Sequence, residues 1–73
     1  MSKDVVRSTA DIVKEIIDIV KRRKKVSISE LSNMFGYSYF YFRYGIMKKV
    51  IAASNNCIEI TRSGYALWIC QES

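Results

Sequence analysis

"VSISELSNMFGYS", Val26 to Ser38, is the stretch that decides how this chain folds. Ser27 and Glu30 have the spacing of the S-x-x-E capping box, and Val26 and Leu31 flank the cap as a hydrophobic staple. Leu31, Met34 and Phe35 then supply a buried stripe, which predicts a short helix from Ile28 to Phe35. Gly36 stands where a left-handed helix stop is wanted. Only Tyr37 and Ser38 separate that stop from the next start, because Ser38 is itself a good N-cap. The residues thus encode helix, tight turn, helix, with a very short strand expected at Val26.

C-terminal to the turn, "YFYFRYGIMKKVIAAS" follows Ser38. Its Tyr-Phe alternation alone would suit a strand. Phe42, Ile46, Val50 and Ala53 instead recur at helical steps, with Tyr39 three residues before Phe42, so the segment is read as a helix over 39–53. On a uniform wheel of about 100° per residue, Tyr39, Ile46, Val50 and Ala53 lie near the Phe42 side, with Lys49 at its edge. Phe40, Tyr41, Arg43, Tyr44, Met47, Lys48 and Ile51 lie outward or on the flanks. Gly45 costs such a helix about 1 kcal/mol relative to alanine, which implies a close approach to its backbone. Phe35 and Phe42 are expected in the core, with Tyr39 on the border.

N-terminal to the turn, "STADIVKEIIDIVKRRKK" carries Ile12, Val13, Ile16, Ile17 and Val20 on one helical stripe. Ser8 with Asp11 reads as a cap, and the run Lys21, Arg22, Arg23, Lys24, Lys25 loads the other end with cations that suit the helix dipole. Val5 and Val6 could extend this helix toward the N-terminus. At the other end of the chain, "CIEITRSGYALWIC" alternates about a turn signal at Ser63-Gly64 and reads as a β-hairpin. A two-residue loop there pairs Ile60 with Leu67 and Ile58 with Ile69 on one apolar face. The same register sets Cys57 opposite Cys70, on the other face beside Glu59 and Trp68. Their Cα atoms would then be about 4.5 Å apart, within reach of a disulfide. Two reduced thiols are the other reading.

The order helix, short strand, helix, tight turn, helix, hairpin resembles a winged helix-turn-helix domain. The resemblance covers residues 8–70 and is carried by "VSISELSNMFGYS", by Phe42, Ile46 and Val50, and by "IEITRSGYALWI". It implies an α+β fold of three helices with a short strand and a C-terminal β-hairpin wing. Residues 1–7 would be an arm or helix extension and 71–73 a tail. With its Ile, Lys and Tyr bias the chain is similar to small winged-helix proteins of archaea and their viruses.

The resemblance also implies a function: double-stranded DNA binding, most readily as a small homodimeric transcription regulator, cytoplasmic and DNA-associated, or in the host cytoplasm if viral. The helix over 39–53 would enter the major groove, placing Tyr39, Phe40, Tyr41, Arg43, Tyr44 and Met47 toward the bases. Ser38, Lys48, Lys49 and the wing residues Arg62 and Ser63 would meet the backbone or minor groove. The chemistry fits in part. Arg43 has the donors that match guanine, the Tyr41 and Tyr44 hydroxyls suit phosphates, and Phe40 suits a thymine methyl. Recognition helices ordinarily carry more Arg, Asn, Gln and Ser, so a face this aromatic could instead bind a protein, and some of the rings could fold back over the domain.

Composition bears on the same choice. The chain has 73 residues, 12 Lys and Arg against 7 Asp and Glu, and a net charge of +5. That balance favours polyanionic partners and makes a phosphate contact for Lys21–Lys25 plausible beside the solvated helix-end reading. A domain of this length buries roughly 60% of its unfolded surface, which leaves little room for a substrate cleft. There is no histidine, no glycine-rich phosphate loop and no acid pair with a pocket. No enzyme activity, metal or cofactor is therefore expected. Nor is a membrane partner, since no apolar run has the length of a signal peptide or a spanning helix.

Overall fold

The computed structural model describes residues 8–71. The expected arm at 1–7, with Val5 and Val6, and the last two residues of the tail lie outside them. Helix α1 (Thr9–Arg23) starts at Ser8, whose hydroxyl accepts from the Asp11 N–H at 3.2 Å, and ends at Lys24 in a left-handed conformation. Strand β1 (Lys25–Ser27) follows directly, then α2 (Ile28–Phe35), capped by Ser27 through the Glu30 N–H at 3.3 Å. The Glu30 carboxylate turns to Arg23, at 3.2 Å. Gly36 closes α2 at φ 77°, with its own N–H on the Asn33 carbonyl and the Tyr37 N–H on that of Ser32. This is the Schellman pairing, and it needs a residue free to take positive φ.

Ser38 caps the next helix through the Tyr41 N–H at 3.3 Å. The third helix, 39–53, runs through three segments: α3 (Tyr39–Tyr41), a π-helical turn (Phe42–Ile46) and α4 (Met47–Ala53). In the π turn the Met47 N–H reaches back to the Phe42 carbonyl, five residues rather than four. One extra residue in that turn rotates everything after it relative to a uniform wheel. Met47 joins Phe42, Ile46 and Val50 in the core as a result. Met47, expected outward, is a core residue. Ala53, expected inward, is exposed, and Ile51 is half-buried.

The sheet is antiparallel with strand order β1-β3-β2, where β2 is Ile58–Ile60 and β3 is Tyr65–Trp68. Its hairpin differs from the expected one. The Thr61 N–H donates to the Tyr65 carbonyl, and the Tyr65 N–H donates to the Thr61 hydroxyl. The loop is therefore the three residues Arg62, Ser63 and Gly64, with Gly64 at φ 93°. The longer loop moves the register by one: Ile58 faces Trp68, Glu59 faces Leu67, and Ile60 faces Ala66. A one-residue slip exchanges the two faces of a strand. Ala66 is accordingly buried and Trp68 packs on the core, whereas Ile69 is exposed. The expected pairs Ile60–Leu67 and Ile58–Ile69 do not form.

Cys57 and Cys70 are nonetheless joined in a disulfide, with Cα atoms 5.0 Å apart. In the observed ladder it is Ile69 that lies beside Cys57, its N–H donating to the Cys57 carbonyl at 2.8 Å. The bond is thus diagonal rather than directly cross-strand. Strand β3 has ended at Trp68, so the chain bends freely enough at Cys70 to bring the sulfurs together.

All these elements close over one apolar centre. α1 contributes Ile12, Val13, Ile16, Ile19 and Val20, with Ile17 only half-buried; α2 contributes Ile28 and Leu31. Val26, Ile58 and Ala66 complete it from the sheet. Met34, expected in the α2 stripe, is instead exposed. The fold is α+β, with three helices against a three-stranded antiparallel sheet.

Candidate functional site

The rings of 35–45 separate into two groups. Phe35 and Tyr37 gather about buried Phe42, Phe35 stacking on it at 6.4 Å and Tyr37 tilting against it at 6.1 Å, while Tyr41, itself exposed, leans on Tyr37 at 5.4 Å. This group stitches the tight turn to the third helix, and Tyr41 also lies against Gly45. A Cβ on Gly45 would meet that ring at 3.7 Å, an ordinary contact, so no close backbone approach demands the glycine.

The second group faces out. Phe40 is 71% exposed and Tyr44 64%, and the two rings stack one helical turn apart at 6.2 Å and 9°. The Tyr39 ring meets Phe40 edge-on at 5.8 Å. Arg43 lies over the Tyr44 ring at 5.5 Å and donates from Nη1 to the Tyr39 hydroxyl at 3.0 Å. That hydrogen bond pushes the guanidinium pKa up, and arginine is a cation throughout the physiological range in any case. Arg43, Tyr44 and Lys48 also line an open depression of about 330 Å³ whose other walls are Ile51 and Ile60. Side chains of the third helix and of β2 therefore share one concave surface.

Tyr39 is not free to face outward. It is half-buried, and its hydroxyl lies so near the hairpin loop that a Cβ on Gly64 would come within 3.2 Å of it. The Gly64 carbonyl in turn accepts from the Ile28 N–H at 2.9 Å, which ties the loop to the start of α2. Of the six residues expected to face the bases, Phe40, Tyr41, Arg43 and Tyr44 share an accessible face. Tyr39 stands behind Arg43, and Met47 is in the core.

Ser38 is occupied as an N-cap. Lys48, Lys49, Arg62 and Ser63 are exposed, and the Ser63 hydroxyl pairs with that of Thr61 at 3.1 Å. The basic run is largely engaged within the molecule. Lys21 lies over the Trp68 ring, Arg22 pairs with Asp18 at 3.3 Å, Arg23 pairs with Glu30, and Lys25 lies over the Tyr65 ring at 4.6 Å. Lys24 shapes the end of α1. The two ion pairs are solvent-exposed, so each is worth at most about 1 kcal/mol and its arginine can exchange the carboxylate for another anion.

A signal that residue-by-residue reading missed lies in what is absent. Residues 31–58 contain no Asp or Glu and three cations: Arg43, Lys48 and Lys49. The third helix therefore carries Arg43, Lys48 and Lys49 with no acid of its own. Among the described residues there is no cluster of three metal-binding side chains and no helix long and apolar enough to cross a membrane. No known family, curated protein or solved structure matches the chain.

Proposed function

We propose that this chain is a winged helix-turn-helix module that binds double-stranded DNA, acting as a homodimeric transcription regulator. The carrying observation is the outward face of the third helix. It combines Phe40, Tyr41, Arg43 and Tyr44 with Lys48 and Lys49, and no acid occurs between residues 31 and 58. The turn Gly36–Ser38 sets this helix after α2, and the hairpin presents Arg62 and Ser63 at its tip. In this reading the helix lies in the major groove, Arg43 reads a base edge, and the hairpin acts as the wing on the backbone or minor groove. Met47 takes no part. Dimerisation follows from need: one domain offers few base contacts, and two-fold symmetry doubles them.

A second reading rests on the stacked pair Phe40 and Tyr44, which resembles the aromatic centre of a protein interface. Salt separates the two. Fluorescence anisotropy on a random-sequence duplex should show affinity falling about 10²- to 10³-fold between about 50 and 200 mM salt, as expected for about five neutralised phosphates. No binding to duplex at the lower salt would remove the DNA reading and favour a protein partner.

A further inference from the structure

Arg43 is held by a device that spans three parts of the fold. Its Nη1 donates to the Tyr39 hydroxyl at 3.0 Å, one helical turn back, and its guanidinium lies over the Tyr44 ring at 5.5 Å. The Tyr39 hydroxyl sits against Gly64, where a side chain would come within 3.2 Å of it. Gly64 is buried at φ 93° in the hairpin loop, and its carbonyl takes the Ile28 N–H at 2.9 Å. A chain of contacts thus runs from the start of α2 through the hairpin loop to Tyr39 and on to Arg43. A long side chain on a helix surface would otherwise sample many rotamers, and ordering it on binding would cost affinity.

We infer that Tyr39 is a positioning residue that fixes the Arg43 guanidinium to the hairpin loop, so that the loop and the arginine engage a partner as one preorganised unit. The DNA arm of this inference rests on the function proposed above; the contact itself does not. The device also gives Gly64 a second role. Besides supplying the positive φ, it leaves the space that the Tyr39 hydroxyl fills. Tyr39 acts through Arg43 and touches no base.

Two readouts on the full chain test this. The first needs no DNA. Nitrogen-15 spectra of the arginine guanidinium groups should show separate, slowly exchanging Nη signals for Arg43 and averaged signals for Arg62, which is exposed at the loop tip. Tyr39→Phe keeps the ring and removes only the hydroxyl, and it should collapse the Arg43 signals to the averaged form. The second readout is selectivity, measured as the affinity ratio between a duplex selected for tight binding and a random one. Tyr39→Phe should lower that ratio about three- to tenfold, the size of one net hydrogen bond. In an Arg43→Ala background it should lower it no further, because a residue acting only through Arg43 has nothing left to act on.

An Arg43 signal unchanged by Tyr39→Phe would overturn the inference. So would a loss of selectivity that persists without Arg43, since Tyr39 would then contact the bases itself. If the wild-type chain binds no duplex, the DNA reading fails and the nitrogen spectra alone decide for or against the clamp.

Discussion

Two methionines test the third helix against each other. Met47 is fully buried behind the π turn, whereas Met34 on α2 is 55% exposed. Truncation to alanine removes the same atoms at both sites, roughly three methylene equivalents at about 0.8 kcal/mol each when fully buried. At Met47 the transfer loss is therefore about 2 kcal/mol, and the cavity left beside Phe42, Ile46 and Val50 raises it into the range of about 2–5 kcal/mol. At Met34 just over half of that surface is already in water, and a loss of no more than about 1 kcal/mol is expected. A domain of this length is stable by only about 4–11 kcal/mol, so Met47→Ala should consume a large part of the total. A loss of about 3 kcal/mol corresponds to a melting temperature roughly 12–24 °C lower. Urea titrations followed by far-UV circular dichroism, with the disulfide kept oxidised, give both free energies. Equal effects of Met47→Ala and Met34→Ala would refute the π turn, because a uniform α-helix places Met47 on the surface.

Other substitutions test the remaining features. Cys57→Ser with Cys70→Ser opens a loop closed across a separation of 13 residues and should cost about 3 kcal/mol on the chain-entropy account, read by the same urea titration. Gly45→Ala meets only the Tyr41 ring at an ordinary distance, so it should leave stability unchanged or raise it by about 0.5–1 kcal/mol; a loss above about 1 kcal/mol would show that the π turn needs the glycine. Arg43→Ala should weaken binding to a selected duplex by about 1–3 kcal/mol and relax the preference at one base position, as measured by competition titration. Replacing Lys21, Arg22 and Arg23 together by alanine should lower DNA affinity about equally for all sequences and flatten the salt dependence, while a variant that binds like wild type at every salt concentration would return the run to a solvated helix end.

What the sequence made legible is chiefly local. The caps at Ser8, Ser27 and Ser38 and the stop at Gly36 each depend on contacts within a few residues. Each carries a residue type chosen for a physical reason: a short side-chain acceptor for an orphan N–H, or freedom at positive φ. The α1 stripe could be read for a similar reason, since a uniform helix repeats its phase. The third helix does not. Nothing in "FRYGI" announces a wider turn, and the wheel misplaces Met47 and Ala53, though not Val50, because a single added residue rotates the positions after it. The site suffered least. Its exposed members, Phe40, Tyr41, Arg43 and Tyr44, lie before or within the π turn, where the accumulated phase error is smallest.

The hairpin failed differently, through a loop whose length the residues left open. Ser63-Gly64 suits a two-residue turn, and Arg62-Ser63-Gly64 suits a three-residue turn with glycine at the positive-φ position. Tertiary structure separates them. The longer loop lets Thr61 bond twice to Tyr65, brings the Gly64 carbonyl to Ile28, and puts Ala66 rather than Leu67 beneath the helices. Alanine is the smaller residue there, and it pairs with Val26 on one side and Ile60 on the other. A central strand pressed closely against helices accepts a small side chain where a leucine would overpack. The disulfide survived the shift because it did not depend on the ladder. Cys70 lies two residues beyond the last strand residue, and the freedom there absorbs a one-residue offset that a position inside β3 could not. Register and cross-link, which looked like one inference from the sequence, are therefore two separate properties of the fold.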